Sequence, residues 1–158
     1  MRETEYTRRT AVGLLAAGGL LPVAAKVTGD EVMYVGGTIG SVPEATEGAV
    51  DLRNEEKLVF SSEKGSFEIP YKSIKTLEYG QKAGRRVGVA IVITVWALFS
   101  KKRKHFLTIG YDDANGKAQG VVIEIAKGRA KTFITVIEAR SGKKVEYESE
   151  EAKKHVHG

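Results

Sequence analysis

The residues best suited to chemistry in this chain are cations set around an apolar run. Arg85 and Arg86 precede Val87–Phe99, a stretch with no charge and with Thr94 as its only polar side chain; Lys101, Lys102, Arg103 and Lys104 follow it. Fixed positive charge at both ends of an apolar segment suits an interface, where cationic heads meet an anionic surface while apolar groups leave water. Trp96, Leu98 and Phe99 are the side chains that would enter a headgroup boundary, with Arg85, Arg86 and Lys101–Lys104 holding anionic lipid. As a helix, about 13 residues reach roughly 20 Å, short of the ~30 Å hydrocarbon core, so a spanning helix is not expected. A core element, a membrane-surface insertion and a partner-binding surface all fit this length. Periodicity does not separate them, because the run is apolar on every face.

The other reactive side chains point to no reaction. Cysteine is absent, which removes disulfides, thiolate metal sites and thiol nucleophiles. His105 stands inside the folded region but belongs to the basic cluster, and His155 and His157 lie in a charged tail with no third ligand placed beside them, so no metal site is expected. A Gly-x-Ser-x-Gly elbow, a His-Glu-x-x-His pair and a P-loop do not occur. Gly36-Gly-Thr-Ile-Gly40 is glycine-rich like a phosphate loop, yet no helical pattern follows it. Asp112 and Asp113 precede Asn115-Gly116 in a turn and lack the further ligands of a calcium loop. No catalytic residue and no cofactor are expected; the chain reads as a non-enzyme.

Length and charge set the remaining bounds. The chain has 158 residues and a formal charge of +5, enough for one domain of about 120 residues with its own core and a balance that favours anionic partners. Residues 1–25 read as a signal peptide or an N-terminal anchor. Arg8-Arg9 precede an apolar, small-residue stretch from Thr10, and Val23 and Ala25 occupy the −3 and −1 positions of a cleavage site before Lys26. The paired arginines resemble a twin-arginine signal without completing its pattern. An exported chain, periplasmic or in the cell envelope and membrane-associated, follows from that reading. Nucleic acid is not an expected partner, since no aromatic-interleaved sheet motif accompanies the cations.

The elements that must position the cluster are mostly strands. Period-two alternation marks Glu31–Val35, Gly48–Arg53, Lys57–Ser61, Ser66–Tyr71, Ser73–Tyr79, His105–Tyr111 and Lys117–Ile125. Turns are expected at Glu63-Lys-Gly65 and Asp112–Gly116. The offset of Ile74 and Leu77 calls for a bulge or helical turn after Tyr71. Ala130, Phe133, Ile134, Ile137 and Glu138 then space as one face of a helix from about Lys127 to Arg140, stopped at Ser141-Gly142. After Val145 a short extended piece is expected to pass into a charged, disordered tail over 146–158.

Several antiparallel strands followed by one amphipathic helix resembles the layout of pleckstrin-homology-like (PH-like) domains. Ile69-Pro70-Tyr71 leading into Ile74-Lys-Thr-Leu77 is similar to the bacterial PH-like and GRAM-like pattern. The resemblance covers 26–145 and implies a mainly β, α+β fold: an antiparallel sandwich or partly open barrel closed by the C-terminal helix, with 84–100 as an apolar insertion. The expected function is a non-catalytic binding module that engages an anionic lipid surface through that insertion. Two alternatives stand beside it. One is a protein-interaction adaptor with the apolar run in its core and a free strand edge for a partner peptide; the other is a small β-barrel carrier of an apolar ligand.

Overall fold

A computed structural model of the chain describes residues 30–82, 90–95 and 104–158. The elements run β1 (Asp30–Gly37), β2 (Thr46–Asp51), β3 (Lys57–Ser62), β4 (Gly65–Pro70), β5 (Ile74–Gly80), β6 (Phe106–Asp112), β7 (Ala118–Ile125), α1 (Ala130–Ser141), β8 (Val145–Tyr147) and α2 (Glu150–His157). The fold is mainly β, with eight strands in one sheet of order β4-β3-β2-β1-β7-β6-β5-β8 and with β4 and β8 at its edges. Two meanders, β1–β4 and β5–β7, meet at an antiparallel β1–β7 seam, and β8 adds to β5 in parallel.

Alternation places one side chain in two inward. Val32 and Tyr34, Leu58 and Phe60, Phe67 and Ile69, Leu107 and Ile109, and Val121 and Ile123 all enter one core. Phe60 and Phe67 stack at 4.8 Å between ring centroids, and Tyr34 meets Phe67 edge-on at 5.4 Å, the offset and tilted arrangements that aromatic quadrupoles favour. Between the meanders the chain makes a 3-10 turn at Tyr71–Ser73, and the β5–β6 register shifts between Ile74 and Thr76. Both devices answer the offset of Ile74 from Leu77, since a bulge moves later side chains to the other face.

Helix α1 is the second layer. Ala130, Phe133, Ile134 and Ile137 are fully or almost fully buried in the same core. Gly142 ends the helix in the left-handed region (φ 70°), its N–H donating to the Glu138 carbonyl; no Cβ opposes that conformation. The helix is shorter at its start than its spacing suggested, because Lys127–Arg129 is a 3-10 turn.

Arg140 fastens the far end of α1. Its Nη1 donates to the carbonyls of Leu52 (2.5 Å) and Asn54 (2.8 Å) and to the Tyr71 hydroxyl (3.3 Å), and its guanidinium lies over the Tyr71 ring at 5.5 Å. One charged group thus ties the helix to the β2–β3 turn and to the turn between the meanders. Charge-assisted bonds contribute about 1.5–3 kcal/mol each to a stability comparison. Arg140→Ala is expected to lower unfolding free energy by roughly 2–3 kcal/mol. Arg140→Lys should recover only part, since lysine is shorter and has no planar guanidinium to lie over the Tyr71 ring; urea titrations of the three proteins check this.

Beyond Val145 the structure departs from the expected disordered tail. Residues 145–147 form β8 and 150–157 form α2. The Ser149 side chain accepts from the Ala152 N–H at 3.1 Å, Glu150 and Glu151 fill the first turn, and Lys154, His155 and His157 the last. That is the charge order a helix dipole favours. Ala152 and Val156, one turn apart, are buried in the main core. The composition of the tail is polar; its placement is amphipathic.

Candidate functional site

The connection between β5 and β6 carries the apolar run and its cations. Its exit is pinned by Glu148: a Cβ on Gly80 would lie 2.3 Å from a Glu148 carboxylate oxygen, and that oxygen accepts from the Lys82 N–H at 2.9 Å. Its return is pinned by Lys104, whose Nζ lies 2.9 Å from the Glu124 carboxylate of β7, each side chain about one-quarter exposed.

Between these ends, residues 90–95 cross the outer face of the sheet. Ile93 is buried against Val35, Phe106 and Val122, with Met33, Ile91 and Val95 packed at the margin. This cluster lies on the face opposite the main core, where Val35, Val122 and Phe106 would otherwise meet water. The approach is close over Gly36, where an added Cβ would sit 3.0 Å from the Ile93 Cγ1. Glu44 completes the anchor, accepting from the Thr94 N–H at 3.0 Å and from its hydroxyl at 2.5 Å. Val92 points the other way, 72% exposed, and is the exposed large hydrophobic among the described residues. The described part of the run therefore alternates: Ile93 serves as core and Val92 faces out.

Of the expected site residues, Lys104 is described, and it is paired with Glu124. Arg85, Arg86, Trp96, Leu98, Phe99, Lys101, Lys102 and Arg103 lie outside the described residues, as does the leader expected over 1–25.

Sequence reasoning missed the acidic partners of this connection. Glu44, Glu124 and Glu148 each hold one point of it, and none stands near it in the chain. Period two on β7 carries one faint signal, since Val122 and Glu124 share the face opposite Val121 and Ile123. Beside the anchored segment, an open cleft of 760 Å³ is lined by Met33, Glu31, Glu47, Ala49, Lys64 and Glu124 among others. Its carboxylates would repel an anionic headgroup, so the cleft is no seat for acidic lipid.

The remaining motifs resolve into structure. The Asp113 carboxylate accepts from the N–H groups of Asn115 and Lys117, both at 2.9 Å, and from the Gln119 amide. The Lys117 N–H above all, with Asn115 and Gln119, holds the Asp113 carboxyl below the usual carboxylate range. This is a turn-forming aspartate ahead of Gly116 (φ 77°). Thr38 of the glycine-rich stretch is bonded to Gly120 across the seam, its N–H donating at 2.8 Å. Among the described residues no group of three or more His, Asp or Glu is arranged to hold a metal ion, and no helix is long and apolar enough to cross a membrane. Comparison with protein-family models and with curated proteins finds no match to this chain.

Proposed function

We propose that the protein is a non-catalytic, PH-like binding module of the cell envelope that engages an anionic membrane surface through its β5–β6 connection. The observation that carries this reading is the anchoring of that connection. Ile93, Thr94 and Lys104 fix the described part of it to the outer face of the sheet. The PH-like assignment is supported by two meanders joined at a seam, with α1 packed into their shared core. Export rests on the leader-like pattern of Met1–Ala25.

Co-sedimentation of the protein with vesicles tests the reading, using anionic phosphatidylglycerol and neutral phosphatidylcholine at low and high salt. Binding to the anionic vesicles that weakens with salt is the expected result, because cation–headgroup attraction is screened within a Debye length. Equal, absent or salt-independent binding would overturn it.

The adaptor reading draws on a different observation, the burial of Ile93, which makes part of the apolar run core, together with the places of β4 and β8 at the two edges of the sheet. Absence of vesicle binding alongside capture of a defined peptide as an added strand would favour it.

A further inference from the structure

All three histidines of the chain, His105, His155 and His157, gather where α2 meets the end of the sheet. His105, buried just before β6, stacks its ring on that of His155 with centroids 3.9 Å apart and planes 20° from parallel. Tyr79 of β5 lies nearly parallel to His105 at 5.6 Å, and its hydroxyl is 2.9 Å from the His155 Nδ1. At the end of the helix, the Tyr147 hydroxyl is 2.9 Å from the His157 Nε2.

These contacts add to the burial of Ala152 and Val156 in holding α2 on the sheet. An eight-residue helix is far below the length that stands alone in water, and its buried side chains are Ala152 and Val156. Both are small. The ring stack and the two tyrosine–histidine bonds therefore share in docking it.

We propose that the His105–His155 stack is a pH-operated latch, which holds α2 on the sheet while at most one of the two rings is charged and releases it when both are. Two positive rings in van der Waals contact repel strongly at such a distance. Burial first, then the neighbouring Tyr147, pushes the Tyr79 pKa up to about 12, so its hydroxyl keeps its proton and can donate to a neutral Nδ1 or accept from a protonated one; the change on acidification comes from the facing rings.

The charged and titratable groups around the stack set the sign. From β5 comes Tyr79, from β8 Tyr147, and from α2 Glu151, Lys154 and His157; Glu78, Lys104 and Glu146 belong to the opposite face of the sheet. Glu151 stands one turn before His155, a spacing that favours a single positive charge on that ring. It does nothing to separate a second charge from the first. Once α2 leaves, the two rings are parted and a second proton no longer meets the first. The released state then binds more protons than the docked one at acid pH, so docking weakens as pH falls. This holds whether or not the β5–β6 connection meets a membrane.

Amide hydrogen exchange on the whole protein, corrected for intrinsic rates, tests the latch at about pH 7.5 and about pH 5. The expected result is a loss of protection of at least about tenfold for the 153–157 amides at the lower pH, while β1 and β7 keep theirs. His155→Phe, which keeps a ring but not the charge, should make α2 protection independent of pH. Unchanged protection in the wild type, or joint loss across helix and sheet, would overturn the latch. So would a pH dependence that survives in His155→Phe. Should that variant not fold, the Cε1–H titrations of the wild-type rings decide: two coupled steps support the latch, and two independent single steps refute it.

Discussion

Phe133→Ala is expected to cost about 3–5 kcal/mol of stability, the range for truncating a fully buried phenylalanine. Phe133 has no exposed surface and lies in the one core cluster that joins side chains of both meanders to α1. Removing its ring withdraws contacts from that shared core and leaves a void that packed neighbours cannot close. Against a typical total of 5–15 kcal/mol, the variant should unfold at much lower urea. Phe133→Leu, which keeps most of the volume, should recover the larger part. A loss below about 1 kcal/mol with an unchanged urea slope would mean that α1 does not close this core.

The second large effect concerns binding. Each Lys or Arg near a charged leaflet contributes roughly 1 kcal/mol, so Lys101→Glu, Lys102→Glu and Arg103→Glu together should weaken anionic-vesicle binding by at least about a hundredfold. The loss should shrink as salt rises. Lys104 is set apart by its contact with Glu124: Lys104→Glu should place two carboxylates together and lower stability modestly, within the about 1 kcal/mol typical of partly exposed pairs and their repulsion, with a smaller effect on vesicles than any of its three neighbours. Vesicle titrations beside urea curves separate the two behaviours. Equal vesicle binding by the triple variant and the wild type would remove the membrane reading.

How much of this was legible depends on how local the cause is. Strands such as Lys57–Ser62 and Gly65–Pro70 announce themselves because a two-residue period and a glycine turn are properties of neighbouring residues. Helix α1 is equally readable from Phe133, Ile134 and Ile137, and its stop from Gly142. The outer cluster was not readable, because Ile93 acquires its role only when Val35 and Val122 arrive from distant strands on the same face. Glu44 bonds Thr94 from 50 positions away, and Tyr79 meets His155 across 76. The tail shows a subtler miss: its Ser149 cap and its Ala152–Val156 pair were present in the sequence, but a count of charges hid their spacing. The candidate site was legible as a pattern of charge, and its anchoring was not.

The seam between β1 and β7 has a consequence for how the molecule comes into being. Thr38 and Gly120 bond across it from positions 82 apart, so on the ribosome β1 waits with one unpaired edge until most of the chain has emerged. Hairpins β2–β3 and β3–β4 can close early from local contacts, whereas joining the two meanders requires a long loop to be closed first, which slows folding. During that interval β1 presents an open ladder to any neighbour, the usual route to misassembly. The β5–β6 connection adds little to this delay. Loop-closure entropy grows only logarithmically, about 0.6 kcal/mol per doubling of length, so length added to this connection away from Ile93 and Thr94 costs the fold little.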